Sequence, residues 1–437
     1  MPKTRLLTIA VVLMLASLTC AAPKNIIIMI SDGCGYSQIE AASLYQFGRP
    51  DGWAYQQFPV KYAMSTFPNG GSYDPVATWA DFLACKKGAT DSAASATALA
   101  TGIKTYAGAV GVGPDKQPLK NVLERAEEVG KATGVLTSVP FSHATPAGFL
   151  AHNEGRGNYT QIAANMLGSR AEVVMGAGNP LYDNSGKLRP EPKYEFVGEP
   201  EWAALKAGTL ASDADGDGQP DAWKLAESRA DFQSLTTGDA PRRVCGVAMA
   251  ASTLQEGRAG DIKADAFVVP FNENVPTLTE MTLAAFNVLD ADPDGFTIMI
   301  EGGAVDWACH SNLSGRLIEE EIDFSRTVDA VIAWIEKNGG WDQNLLIVTG
   351  DHETGYLTGP GSGADGAAVW LPLVNNGQGK MPGVQWNYGS HTNNLIPLFA
   401  RGAGSEAFAQ GKVNQDPKRG AYVDNTDVAR VVFEALK

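Results

Sequence analysis

Histidine is almost missing from this chain, with five among 437 residues, so no His-rich metal-storage tract exists and the place of each one matters. Charge is sparse as well: charged residues make up 19% against 44% apolar ones. That balance excludes a largely disordered chain, whose signature is low hydrophobicity with high net charge. Positive charge is the scarcer sign, 34 Lys and Arg against 49 Asp and Glu for a net charge of −15, and no basic run occurs. Duplex nucleic acid, which needs a basic face, is therefore excluded as a partner. Cysteine is rare and never in C-x-x-C spacing, so a thiolate zinc site is excluded. No apolar run reaches the roughly 20 residues that span a bilayer, and no membrane association is expected. Glycine is plentiful, with 48 residues against a usual share of about 7%, which points to many tight turns.

The N-terminus reads as a secretory signal over residues 1–21. Lys3 and Arg5 give the positive region, Leu6 to Leu18 the apolar region, and Thr19-Cys20-Ala21-Ala22 the small residues for cleavage. The expected location is periplasmic or secreted. Cys34, Cys85, Cys245 and Cys309 remain in the mature chain, and an even count in an oxidising compartment leaves both disulfides and buried thiols open.

Six short apolar runs read as buried parallel strands: Asn25–Ile30, Gly134–Val139, Glu172–Met175, Phe296–Ile300, Leu345–Thr349 and Ile396–Ala400. Helical patterns lie between them at Leu119–Val129, Thr277–Leu289 and Arg316–Glu336. Thr277 and Glu280 have capping-box spacing, and Asn338-Gly339-Gly340 ends the third helix. Alternating strand and helix predicts an α/β fold with a mainly parallel sheet covered on both faces, a three-layer α/β/α sandwich. Length alone suggests roughly three domains. Residues 179–265 are polar and poorly periodic and are expected to be an elaboration on the core.

Chemistry gathers where the strands end, the place where open α/β sheets bind ligands. Asp32 follows the first run, His143 and Thr145 the second, Glu301 the fourth, and Asp351-His352 the fifth. Asp306 and His310 stand four apart, so one helical turn aims both at one ion. His391, in Gly389-Ser390-His391-Thr392, adds a third imidazole. Imidazole with carboxylate and no thiolate suits zinc with an open position, whereas the oxygens of Asp32, Glu301 and Thr145 suit magnesium. An Asp or His at a strand end is by default a cap or turn residue; that reading fails when all of them occur together. Ser92, in Thr90-Asp91-Ser92-Ala93, opens a small-residue helix whose free N–H groups and dipole suit a phosphate. No G-x-S-x-G elbow surrounds it and no histidine is placed as a triad base, so a metal-activated serine is the nucleophile these residues support.

In this order and spacing the segments resemble the alkaline phosphatase family over nearly the whole mature chain. The resemblance implies hydrolysis of phosphate monoesters through a phosphoserine on Ser92. It implies one zinc held by Asp306, His310 and His391, a second by Asp32, Asp351 and His352, and a magnesium by Asp32, Thr145 and Glu301. Arg156 would clamp two phosphate oxygens, with Asp91 orienting it. A homodimer is implied as well, and ligands running from Asp32 to His391 imply one catalytic domain, 22–437, rather than three. Two departures stand out. His143 occupies the place beside magnesium where some bacterial members have Asp, which leaves Mg²⁺ and Zn²⁺ both open for that third site. Trp307 lies on the substrate side where those members have Lys, which should weaken binding of the phosphate product.

The nearer rival is a phosphodiesterase or sulfatase of the same broad superfamily, against which Arg156 and the second-zinc and magnesium ligands suit a monoester dianion. A more distant rival is a non-catalytic calcium-binding protein. It would use Asp213, Asp215, Asp217 and Asp221 in the acidic segment 213–221, where Lys224 replaces the bidentate Glu of an EF-hand. In the enzyme itself that segment reads equally as a solvated acidic turn or as a weak Ca²⁺ site. Gly108 to Gly113 reads as a turn rather than a nucleotide loop, His152 as structural, and the sequons at Asn158 and Asn312 as coincidental.

Overall fold

The computed structural model describes residues 22–437; the signal reading at 1–21 lies outside the described residues. Every residue of the strand Asn25–Ser31 is buried. Alternate side chains enter different cores, Ile27 and Met29 one and Ile26, Ile28 and Ile30 the other. A strand apolar on both faces needs a helical layer on each, and both are present. Tyr36–Phe47, Leu278–Leu289 and Ser314–Lys337 cover the first face. Ser92–Thr101, Val122–Glu128, Ala144–Leu150, Tyr159–Leu167 and Thr426–Ala435 cover the second. The fold is the three-layer α/β/α sandwich that the alternation of strand and helix predicts.

The sheet has eleven strands. Asn25–Ser31 lies at its centre, parallel to Asn344–Gly350 on one side and Phe296–Gly302 on the other. Beyond Phe296–Gly302 come Ala132–Pro140, Val173–Ala177, Val244–Val247 and Lys224–Ala226, all parallel. Lys224–Ala226 and Val244–Val247 belong to the polar segment 179–265, so part of that segment builds the sheet edge rather than standing outside the core. The expected capping box forms, with the Thr277 hydroxyl accepting from Glu280 N–H and the Glu280 carboxylate from Thr277 N–H.

One expectation needs correction. The run at Ile396–Ala400 forms the strand Ile396–Gly402, which pairs antiparallel, not parallel, with Asn344–Gly350 and with Val60–Ser65. Apolar content marks a strand as buried on both faces but carries no direction. The reversal has a consequence for the site: the start of this strand, not its end, lies at the carboxyl edge of its neighbours, and His391 sits just ahead of that start.

Of the two readings left open for cysteine, the structure takes the thiol. Cys34, Cys85, Cys245 and Cys309 are all free and buried, and burial pushes the Cys85 and Cys245 thiols up to about 12, which makes both poor nucleophiles. No helix among the described residues is long and apolar enough to cross a membrane.

Candidate active site

The parallel register brings the strand ends level. Ser31 pairs with Gly350 on one side and Gly302 on the other, and Thr137 pairs with Glu301. Asp32, Glu301 and Asp351 therefore emerge side by side, and all three are essentially buried. Gly33 follows Asp32 at φ +71°, and a Cβ there would come 2.7 Å from Asp306 Oδ1, so only glycine lets the two loops meet.

Ser92 is the first residue of the helix Ser92–Thr101, and Asp91 caps it by accepting from Ala94 N–H. The helix is small-residued because it packs closely on Ala144–Leu150: a Cβ on Gly148 would lie 2.8 Å from that of Ala96. Asp91 has two further partners. Its carboxylate accepts from Gly108 N–H at 3.1 and 3.0 Å and from Arg156 Nη1 at 2.9 Å. Arg156 N–H in turn donates to Gly108 O. The Gly108 turn thus fixes the cap that fixes the arginine. Ser92, Arg156, His310 and His391 line one open cleft, with Trp307, Ser311 and Ser390 in its wall.

The three imidazoles share one protonation logic. His310 Nδ1 is 2.9 Å from Gly389 O, and His391 Nδ1 is 2.8 Å from Thr90 O. A carbonyl only accepts, so each Nδ1 carries a proton, which in the neutral ring leaves Nε2 bare. Those bare Nε2 atoms face each other at 3.0 Å, with Asp306 Oδ2 at 3.3 Å from His310 and Oδ1 at 3.6 Å from His391. Thr354 does the same for the third ring. Its hydroxyl donates to Asp306 Oδ1 at 2.6 Å and lies 3.2 Å from His352 Nδ1, leaving His352 Nε2 free. That Nε2 is 3.2 Å from Asp351 Oδ2, 3.5 Å from Asp32 Oδ1 and 3.2 Å from Ser92 Oγ.

With the rings neutral, lone pairs and carboxylates face one another, an arrangement that divalent cations satisfy. The carboxyl groups say the same: Asp32 Oδ1, Asp351 Oδ2 and Glu301 Oε1 are buried without a hydrogen-bond partner. Burial and the neighbouring carboxylates raise Asp32 well above the carboxylate range. Burial above all pushes Asp351 and Glu301 up to about 7, and it drives His352 well below, and His391 below, the usual imidazole value. The donor set fits divalent metal ions. Asp306, His352 and His391 form one group whose ligand atoms lie within 4.8 Å, and Asp32, Asp351 and His352 another. The two groups share His352, whose ring stacks on His391 at 3.7 Å. The sequence expected His310 in the first group; it lies within reach of Asp306 and His391 but is the most exposed of the three rings. Thr145 donates to Asp32 Oδ2 at 3.3 Å, and Thr137 donates to Glu301 Oε2.

His143 is buried as the N-cap of Ala144–Leu150, with its Nδ1 unpartnered. Burial and the Arg156 charge push it down to about 3, so it is neutral. It stacks with Tyr159 at 6.1 Å and meets the Trp307 edge at 5.6 Å. His152 bridges Gly111 O and Glu124 at 2.7 and 2.9 Å, a structural post. In the acidic segment, Asp213, Asp215 and Asp221 converge but Asp217 does not join them. Arg242 pairs with Asp215 and Asp221, while Gly216 and Gly218 N–H groups occupy Asp213. Sequence reasoning missed Thr354, Thr137 and Gly108. Thr354 follows His352 by two residues, and that spacing, which puts both on one side of an extended segment, was the available signal.

The sequence profile of the alkaline phosphatase family matches residues 23–428. Alkaline phosphatase 3 of Bacillus subtilis is 27% identical over 95% of this chain and 89% of its own. The alkaline phosphatase of Escherichia coli is 28% identical over 87% and 84%. The solved alkaline phosphatase of the Antarctic bacterium TAB5 superimposes with a TM-score of 0.64 at 27% identity, over 95% of this chain and 98% of that one. A histidine-to-aspartate variant of that protein, solved with Mg bound in its M3 site, matches at 25% identity with a TM-score of 0.64, over 95% and 99%. Matches of this length, on a cleft that joins a buried serine, an arginine and clustered histidine and carboxylate ligands, place this chain in the alkaline phosphatase family of metal-dependent phosphomonoesterases.

Proposed function

We propose that the enzyme hydrolyses phosphate monoesters through a phosphoserine on Ser92, with one zinc at Asp306, His310 and His391, a second at Asp32, Asp351 and His352, and magnesium at Asp32, Thr145 and Glu301. The observation that carries this reading is Ser92 Oγ, buried at a helix N-terminus, 3.2 Å from the bare Nε2 of His352. Arg156 is held through Nη1 by Asp91, which leaves the rest of its planar fork for two phosphate oxygens. The phosphoryl group then sits over the first turn of Ser92–Thr101, against free N–H groups. Ser92 Oγ gives its proton to solvent and bonds to phosphorus as the ester oxygen departs on the opposite side and takes up a proton; water then attacks phosphorus, the Oγ–phosphorus bond breaks, Oγ regains a proton, and inorganic phosphate leaves. When bound, the metals supply positive charge for the attacking and departing oxygens. The signal-like N-terminus supports an exported enzyme.

A chromogenic aryl phosphate, the matching diester and the aryl sulfate separate this reading from its rivals. The monoester is expected to be the best substrate; faster diester or sulfate turnover overturns the proposal. Arg156→Ala is expected to lower kcat/KM for the monoester by roughly 10²–10³-fold, the scale of losing one charge-stabilising donor. An unchanged kcat/KM would show that the clamp does not touch substrate. Trp307 is half-exposed in the cleft wall where a cation would attract phosphate. Trp307→Lys is expected to tighten inhibition by inorganic phosphate, read from the inhibition constant; no change removes Trp307 from the phosphate site.

A further inference from the structure

Behind the ligand loops lies a second network that touches no substrate. Glu353 and Thr354 pair antiparallel with Thr392 and His391 in a short ladder, Glu353 opposite Thr392 and Thr354 opposite His391. Side chains alternate along a strand, so Thr354 and His391 face the metal groups while Glu353 and Thr392 face away. On that hidden side the Thr392 hydroxyl donates to Glu353 Oε2. Gln38 Nε2 donates to Glu353 Oε1 at 2.7 Å and to Thr354 O at 2.8 Å, and Gln38 Oε1 accepts from Gly35 N–H at 3.1 Å. Leu357 N–H adds a bond to Oε1 at 3.3 Å. One carboxylate and one amide therefore tie together the loops that carry Asp32, Asp351-His352 and His391.

Two observations make this more than packing. Glu353 is 5% exposed, and among the described residues no Lys or Arg forms an ion pair with it, so its oxygens are held by neutral donors alone. Burying a carboxylate that way is a cost to folding that an apolar residue would avoid. Gly35 is also shaped to it: a Cβ at Gly35 would lie 2.6 Å from Glu353 Cγ.

We infer that Glu353, with Gln38 and Thr392, is a positioning residue that sets how His352 and His391 present their Nε2 atoms to the metals. This rests on the reading above that those histidines hold zinc. The groups behind metal ligands fix ligand orientation, and their loss weakens metal binding by about 10–100-fold.

The test is competition for zinc between the enzyme and a chromogenic chelator, alongside melting of the metal-free protein. Glu353→Ala is expected to hold zinc about 10–100-fold more weakly. Glu353→Gln is expected to stay close to wild type: its carbonyl accepts from Gln38 and Leu357, and its amide donates to the Thr392 hydroxyl. Thr392→Val, which removes one hydroxyl at nearly constant shape, should weaken zinc binding in the same direction by less and without loss of the fold. A purely structural role would lower the metal-free melting temperature and leave zinc affinity alone. Unchanged zinc affinity in Glu353→Ala and Thr392→Val overturns the positioning role, as does Glu353→Gln failing as badly as Glu353→Ala. A wild-type protein that takes up no zinc overturns the metal-site reading itself, and it does so before any variant is made.

Discussion

Ser92→Ala is expected to lower kcat for a phosphate monoester by on the order of 10⁴-fold or more, the scale on which hydrolases that use a serine nucleophile lose rate when it is removed. The substitution isolates chemistry from folding. Ser92 is 1% exposed in a helix whose other first-turn residues are alanines, and the Asp91 cap bond to Ala94 N–H does not involve its hydroxyl. The variant should therefore melt like wild type and keep the Arg156 clamp. Its KM should move little, because substrate still meets the arginine and the helix N-terminus. Acid quench during turnover should leave phosphate covalently attached to wild type and none attached to the variant. Activity within tenfold of wild type, or covalent phosphate on the variant, would falsify the assignment of Ser92 as nucleophile.

The fold was legible because it rests on period and burial, which the sequence carries locally. Asn25–Ile30 and Leu345–Thr349 are continuous apolar runs, and both are central strands buried on two faces. Direction was not legible: Ile396–Gly402 reads like its parallel neighbours but runs against them, since pairing direction depends on the connections and not on the strand. In the site, Asp32, Asp351, His352 and Asp306 announced themselves by their position at strand ends. Grouping was harder, because His352 stands beside both Asp32 and His391, and no spacing along the chain records contacts between loops 320 and 39 residues apart. Thr354, Glu353 and Gln38 look like ordinary strand and helix residues in one dimension. Their roles exist only once two short strands pair and alternation sorts them onto opposite sides.

Removing the metals should have the second large effect, on activity and stability together, and its pH dependence follows from the buried carboxyls. In the metal-free chain burial pushes Asp351 and Glu301 up to about 7 and raises Asp32 further above its ordinary value. A carboxyl whose folded pKa exceeds its unfolded one favours folding only while protonated. That stability is complete below the unfolded value near 4 and is lost as pH rises through about 7. Each such shift is worth a few kcal/mol, comparable with the roughly 4 kcal/mol that a ligand at a thousand times its Kd contributes. Bound cations reverse the sign, because they favour the ionised carboxylates. The chelated protein is therefore expected to lose monoesterase activity and to melt at a markedly lower temperature at pH 8 than at pH 5. The metal-loaded protein should show no such fall, and added zinc and magnesium should restore both activity and melting temperature at pH 8. Chelated protein that keeps its activity, or that melts higher at pH 8 than at pH 5, would mean that the clustered carboxylates of Asp32, Asp351 and Glu301 are not what the metals neutralise.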